Sequence, residues 1–137
     1  MNALIAIFAV VIASFSWPVW GLDCSSADIY LDTQEDVDTF QATFGGGGVC
    51  DTVTRDLSVR GEDITNLDGL SDLVSIGGNL FIIENPSLTD INGLSGLTSV
   101  GNHLYMRNNP GLTQVDGLAS LTSIGGTLDF SYNATLT

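Results

Sequence analysis

From Leu57 onward the apolar residues fall into short alternating bursts that return at a fixed interval. Leu80 and Ile82 alternate with Phe81 and Ile83, the two-residue period of a strand with one face inward. Leu104 follows Leu80, and Leu128 follows Leu104, each by 24 residues (104 − 80 and 128 − 104). Ile76, Val100 and Ile124 keep the same step, as do Asn85, Asn109 and Asn133, and then Leu88, Leu112 and Leu136. The phrase Leu67-Asp68-Gly69-Leu70 returns as Ile91-Asn92-Gly93-Leu94 and again as Val115-Asp116-Gly117-Leu118. A fixed step of this size is the signature of a solenoid, in which each repeat buries its apolar face only by stacking on its neighbours. The predicted fold is therefore mainly β, a short parallel β-solenoid.

Within one repeat the spacing assigns further roles. Leu88, Ile91, Leu94, Leu97 and Val100 recur at intervals of three and are expected to point inward. Asn85, Asn109 and Asn133 are expected inward and stacked, with their amides bonded to loop backbone, because a buried amide must be satisfied. Gly77-Gly78, Gly101 and Gly125-Gly126 are expected to turn the chain at positive φ. Leu57 aligns with Leu80 at a step of 23 (80 − 57), so the first repeat is one residue short.

The stretch before the repeats has a different pattern. Asp28-Ile29-Tyr30-Leu31 reads as a short strand. Asp32 or Thr33 is a good N-cap, and Glu35 or Asp36 completes a capping box. Val37, Phe40 and Phe44 then share one face of a helix of about three turns, which Gly45 to Gly48 ends. No Lys-Ser/Thr follows those glycines, so they form a loop and not a phosphate cradle. This unit is expected to cover the first exposed end of the solenoid.

Further upstream, Asn2 to Trp20 carries no charge and contains a long apolar run. Residues 1–21 read as an export signal cut after Gly21, with Ser16 as the second choice. The competing reading is an uncleaved anchor, since the run approaches the ~20 residues that span a bilayer and Trp17 and Trp20 would suit its interface. Both tryptophans precede Gly21, so a cleaved chain contains none. The expected division is signal 1–21, disulfide-bonded cap 22–56 and repeats 57–137, incomplete at the C-terminus. The third copy stops at Thr137 with no covering element after Leu136. The chain is thus expected to be a fragment, a truncated gene product or half of an assembly.

Charge and cysteines narrow the setting. Sixteen acidic residues against three arginines and no lysine give a net charge of −13, a field that repels phosphate backbones and excludes nucleic acid as a partner. The acids are scattered singly through turns, so they mainly keep the protein soluble. Cys24 and Cys50 are the two cysteines. An even count behind an export signal points to a disulfide, and two sulfurs without a nearby histidine make a poor zinc site. The expected location is secreted or at the cell surface. Contact with a membrane is expected only through an uncleaved leader or a missing C-terminal region.

Taken together, Cys24-x3-Asp28-Ile29, a helix, and Cys50-x2-Val53-x3-Leu57-x-Val59 resemble the start of the receptor L-domain family. The Leu-x-Ile-x2-Asn-x2-Leu-x2-Ile repeats that follow are similar to that family too. The resemblance covers residues 24 to 137. The family includes the ligand-binding L domains of the insulin and epidermal growth factor receptors, and fungal cell-wall surface proteins carry similar repeats. The resemblance implies a right-handed solenoid with leucine-rich-repeat-like coils and binding through the parallel sheet. Leu88 follows Asn85 by three positions, where the usual leucine-rich repeat has two, and this favours an L domain over a horseshoe.

Function is expected in the outward letters that change between copies. One outward column reads Asp56, Asn79, His103, Thr127; the next Ser58, Phe81, Tyr105, Asp129; the third Arg60, Ile83, Arg107, Ser131. The candidate ligand-binding residues are Phe81, Ile83, His103, Tyr105, Arg107 and Asp129, with Tyr132 just beyond the last strand. Exposed aromatics with an arginine are the composition of an interaction hot spot. Catalytic residues are not expected. A glycosidase pair needs carboxyls about 5–9.5 Å apart, whereas Asp56 and Asp129 stand three strand spacings apart, roughly 14 Å. Glu84 and Asp129 occupy different columns, and His103 has no nucleophile arranged beside it. Neither a cofactor nor a metal is expected: Asp68-Gly69 and Asp116-Gly117 offer one carboxylate per turn, too few for calcium. Asn133-Ala134-Thr135 is a glycosylation sequon, expected to stay unused because its Asn belongs to the inward column.

Three functional readings follow. The first is a non-catalytic extracellular recognition module that binds a protein or glycan across the sheet. The second is a structural surface or wall protein in which the sheet face is incidental. The third, and weakest, is a polysaccharide-active solenoid enzyme.

Overall fold

A computed structural model describes Cys24 and residues 27–137. The expected leader 1–21, with its cleavage site and both tryptophans, lies outside the described residues.

The described chain is mainly sheet. Strands β1 (Ile29–Leu31), β3 (Leu57–Val59), β5 (Leu80–Ile83), β7 (Leu104–Arg107) and β9 (Leu128–Asp129) form a five-stranded sheet in that order. Strands β2 (Thr52–Val53), β4 (Ser75–Ile76), β6 (Ser99–Val100) and β8 (Ser123–Ile124) form a four-stranded sheet. All pairings in both sheets are parallel. From β2 onward the chain alternates between the sheets, passing through a one-turn 3-10 helix at Asp68–Leu70, Asn92–Leu94 and Asp116–Leu118. The result is a parallel, solenoid-like arrangement of two sheets and few helices.

Alternation along the long sheet sorts its residues. Leu57, Val59, Leu80, Ile82, Leu104 and Met106 are buried, while Ser58, Phe81, Ile83, Tyr105 and Arg107 between them are half-exposed. Ile76 and Val100 close the core from the short sheet, and Leu70 and Leu94 close it from the 3-10 turns. Leu128, in the last strand, is 48% exposed, and Val115, Leu118, Leu121 and Phe130 are only partly buried beside it.

The three inward asparagines explain how these tight corners are held. Asn85, Asn109 and Asn133 are buried, and each donates its side-chain amide to a carbonyl of the preceding strand: Val59, Ile82 and Met106. Each side-chain oxygen accepts a backbone N–H from the rung before, at Gly61, Asn85 and Asn109. No buried side-chain polar atom is unsatisfied among the described residues.

Two local expectations are corrected. Gly77, Gly78, Gly101, Gly125 and Gly126 do not have positive φ; in the repeats it falls instead on Glu84, Asn108 and Tyr132, at φ 58°, 55° and 61°, in the asparagine corners. Gly77, Gly101 and Gly125 are required by space instead. A Cβ on Gly101 would lie 2.0 Å from the Gly77 carbonyl oxygen, and one on Gly125 would lie 1.8 Å from that of Gly101. The N-terminal helix is also two pieces, α1 (Gln34–Asp38) and α2 (Phe40–Phe44), broken at Thr39. There the backbone leaves helical geometry (φ −95°, ψ 6°), and the Thr39 hydroxyl and backbone N–H both donate to the Glu35 carbonyl. Thr33 is the N-cap and Asp36 completes the capping box. Val37 and Phe40 are buried, and Phe44 packs on Phe40 with ring centroids 5.2 Å apart. Cys24 and Cys50 form a disulfide and both are buried.

Candidate functional site

Parallel pairing carries one residue of each strand onto the same outward row. The central row reads Tyr30, Ser58, Phe81, Tyr105, Asp129 across the five strands. Phe81 and Tyr105 occupy neighbouring rungs, and their rings stack at 5.5 Å between centroids with 8° between planes. His103 stacks on Tyr105 at 5.5 Å and 27°. The Arg107 guanidinium carbon lies 4.8 Å from the Tyr105 centroid, within cation–π range. Ile83 pairs with Arg107 in register and is half-buried.

Arg107 also reaches across one rung to Asp129. Its Nε and Nη2 both donate to Asp129 Oδ2, the former at 2.9 Å, and the two side chains form an ion pair. The backbone N–H of Ser131 donates to Asp129 Oδ1 at 2.8 Å. Hydrogen bonding from Arg107, and then from Ser131, holds the Asp129 carboxyl down at about 2, against an ordinary 3.8. The same hydrogen bond from Asp129 pushes the Arg107 guanidinium further up. Five of the expected residues thus meet in one network: Phe81, Tyr105, His103, Arg107 and Asp129.

His103 has a second role. The first outward column is a ladder of side-chain-to-backbone bonds at the strand starts. Asp56 Oδ1 accepts the Asn79 N–H at 2.7 Å, Asn79 Oδ1 accepts the His103 N–H at 3.1 Å, and His103 Nδ1 accepts the Thr127 N–H at 2.8 Å. A histidine that accepts at Nδ1 keeps its proton on Nε2 when neutral. His103 therefore supports the sheet edge as well as the tyrosine ring.

Tyr132 stands off the stack. It is 77% exposed and borders a corner groove of about 770 Å³ with Asp32, Arg60, Glu62, Glu84 and Asn108. Arg60 and Glu84 form an ion pair there. Asn133 is buried, and its amide nitrogen already donates to the carbonyls of Met106 and Phe130, both at 2.7 Å. Among the described residues, no group of three or more His, Cys, Asp or Glu is placed to hold a metal ion.

Tyr30 is the residue that sequence reasoning missed. Its strand was expected, but β1 lies outside the repeat and its partner cannot be found by counting. Ile29 pairs with Leu57, which is 28 residues on (57 − 29), where later rungs are separated by 23 or 24. The available signal was an alternating Ile-Tyr-Leu burst with an aromatic at its outward position. No protein-family model, curated protein or solved structure matches the chain.

Proposed function

We propose that this chain is a non-catalytic extracellular recognition module that binds a protein or glycan through the outward face of the long sheet. The observation that carries this reading is the stack of Phe81 on Tyr105, joined to Arg107 and Asp129 on half-exposed strands. Preordered rings and guanidinium groups lose little conformational entropy on contact, which is why such residues dominate binding hot spots. The reading includes a receptor L-domain-like architecture, a right-handed solenoid of 24-residue coils behind a cap spanning residues 22–56. It also includes export by residues 1–21, with the protein secreted or displayed at the cell surface. A buried disulfide suits an oxidising compartment. Among the described residues no helix is long and apolar enough to cross a membrane.

A hydrolytic role is the less favoured alternative, because Glu84 is ion-paired to Arg60 and Asp129 to Arg107. The Asp129 carboxyl, held low by Arg107, lacks the raised pKa that a general acid requires. The spacer reading draws on the same pairs, since they join neighbouring rungs whether or not a ligand is present. The two are separated by replacing Phe81 and Tyr105 together with Ala. The expected outcome is an unchanged far-ultraviolet spectrum with loss of binding to a glycan array or to a panel of secreted proteins. Survival of every association in a folded double variant would overturn the recognition face.

A further inference from the structure

The central row has an aromatic ring on its first, third and fourth rungs and a serine on the second: Tyr30, Ser58, Phe81, Tyr105. Tyr105 covers one face of the Phe81 ring, and the opposite face is on the Ser58 side. Ser58 is half-buried and small, whereas Tyr30 is 65% exposed. Two strand spacings separate the backbones at Tyr30 and Phe81, roughly 9.6 Å. That width leaves a planar group midway about 4.8 Å from each side, inside the ranges for ring stacking and for a cation over a ring.

We propose that the Ser58 rung is a slot for an arginine guanidinium from a basic protein partner. The proposal rests on the reading of this sheet as a recognition face. It adds the chemistry of the partner and a subsite beyond the Phe81–Tyr105 stack. Charge selects the occupant. At one end of the slot stand Asp28 and Asp56, joined where Asp28 Oδ1 accepts the Asp56 N–H at 3.4 Å. At the other end Asp32, Arg60 and Glu84 border the corner groove, with Arg60 already paired to Glu84. Asp28 and Asp56 at one end, and Asp32 with the Arg60-paired Glu84 at the other, therefore give the slot acidic ends, in a chain of net charge −13. A neutral sugar ring can donate hydroxyls to those carboxylates but draws no attraction from their charge. A lysine ammonium gains the charge but lacks the flat, weakly hydrated shape that enters between two rings.

The protein builds one wall of this arrangement from its own residues, farther along the same sheet. There the Arg107 guanidinium lies over the Tyr105 ring and pairs with Asp129. At the Ser58 rung the rings and carboxylates are provided and the partner provides the guanidinium.

The test is a calorimetric titration at low ionic strength with two probes of equal charge, acetylated hexa-arginine amide and hexa-lysine amide. Wild type is expected to prefer the arginine probe by about five-fold or more, the equivalent of about 1 kcal/mol. Ser58→Phe fills the slot with a ring and leaves every charge in place, so it should level the two affinities. Tyr30→Ala removes an exposed wall without touching the core and should narrow the preference in the same direction, which keeps the test valid if Ser58→Phe fails to fold. Equal affinities in wild type, or a preference that survives in both variants, would overturn the slot. Loss of a glycan-array signal in Ser58→Phe, with peptide binding unaltered, would overturn it in favour of a sugar. None of these results removes the recognition face, which falls only if the Phe81 and Tyr105 double variant keeps all its associations.

Discussion

At Asp129 a single carboxylate ties the candidate site together. Its pKa is lowered by Arg107 and Ser131, so the group contributes stability that is fully present above its ordinary 3.8 and lost as pH falls through about 2. The Arg107–Asp129 pair should therefore stay intact from neutrality to well below pH 4 and open as pH falls through about 2. A carboxyl-carbon NMR titration checks this, and a midpoint for Asp129 near its ordinary value would contradict it. Binding that depends on the Arg107–Tyr105 arrangement should weaken over the same acidic window. Both residues were visible in the sequence as outward letters. Their mutual pairing was not, because aligned columns give the rung of a side chain but not which neighbour it turns toward. The positive φ at Glu84, Asn108 and Tyr132 was equally hidden. Three unrelated residue types share the position, and none is the glycine that normally announces it.

Among the elements, the 3-10 turns set how closely successive rungs stack. A Cβ on Gly93 would lie 1.7 Å from the Leu67 carbonyl oxygen, and one on Gly117 would lie 1.9 Å from that of Ile91. Backbone is in the way on both occasions, so no side chain can swing aside. Gly93→Ala should thus cost more than about 3 kcal/mol, at the severe end for one methyl group. Urea denaturation measures it, and a loss below about 1 kcal/mol would mean that the turns separate easily. The recurring Gly was legible from repetition, although Asp-Gly there reads first as a plain turn. The break at Thr39 was not legible, because Val37, Phe40 and Phe44 keep helical spacing straight across it. The break is a local change of backbone at Thr39, φ −95° and ψ 6°, and periodicity does not report that.

Across the whole molecule, the Cys24–Cys50 disulfide fastens the segment before β1 to the approach of β2. Gln41 of α2 reinforces the junction, accepting the Cys50 N–H at 2.8 Å and donating to its carbonyl at 3.1 Å. Reduction should lower unfolding stability by roughly 3–4 kcal/mol, the loop-closure value for a span of this length. Denaturant titrations with and without reductant give the figure, and coincident curves would show that the bridge is dispensable. The sheet class and the disulfide were both legible, the first from alternation and the second from an even cysteine count behind an apolar leader. The membership of β1 in the long sheet was not, and it is β1 that brings Tyr30 to the face.

That placement has an optical consequence. The chain contains three tyrosines, and Tyr30, Tyr105 and Tyr132 all stand on the long sheet's outer row or at the corner beside it. A chain lacking residues 1–21 contains no tryptophan to mask them. The protein's own ultraviolet emission then arises from its candidate contact surface, and an arriving partner is seen without any label attached.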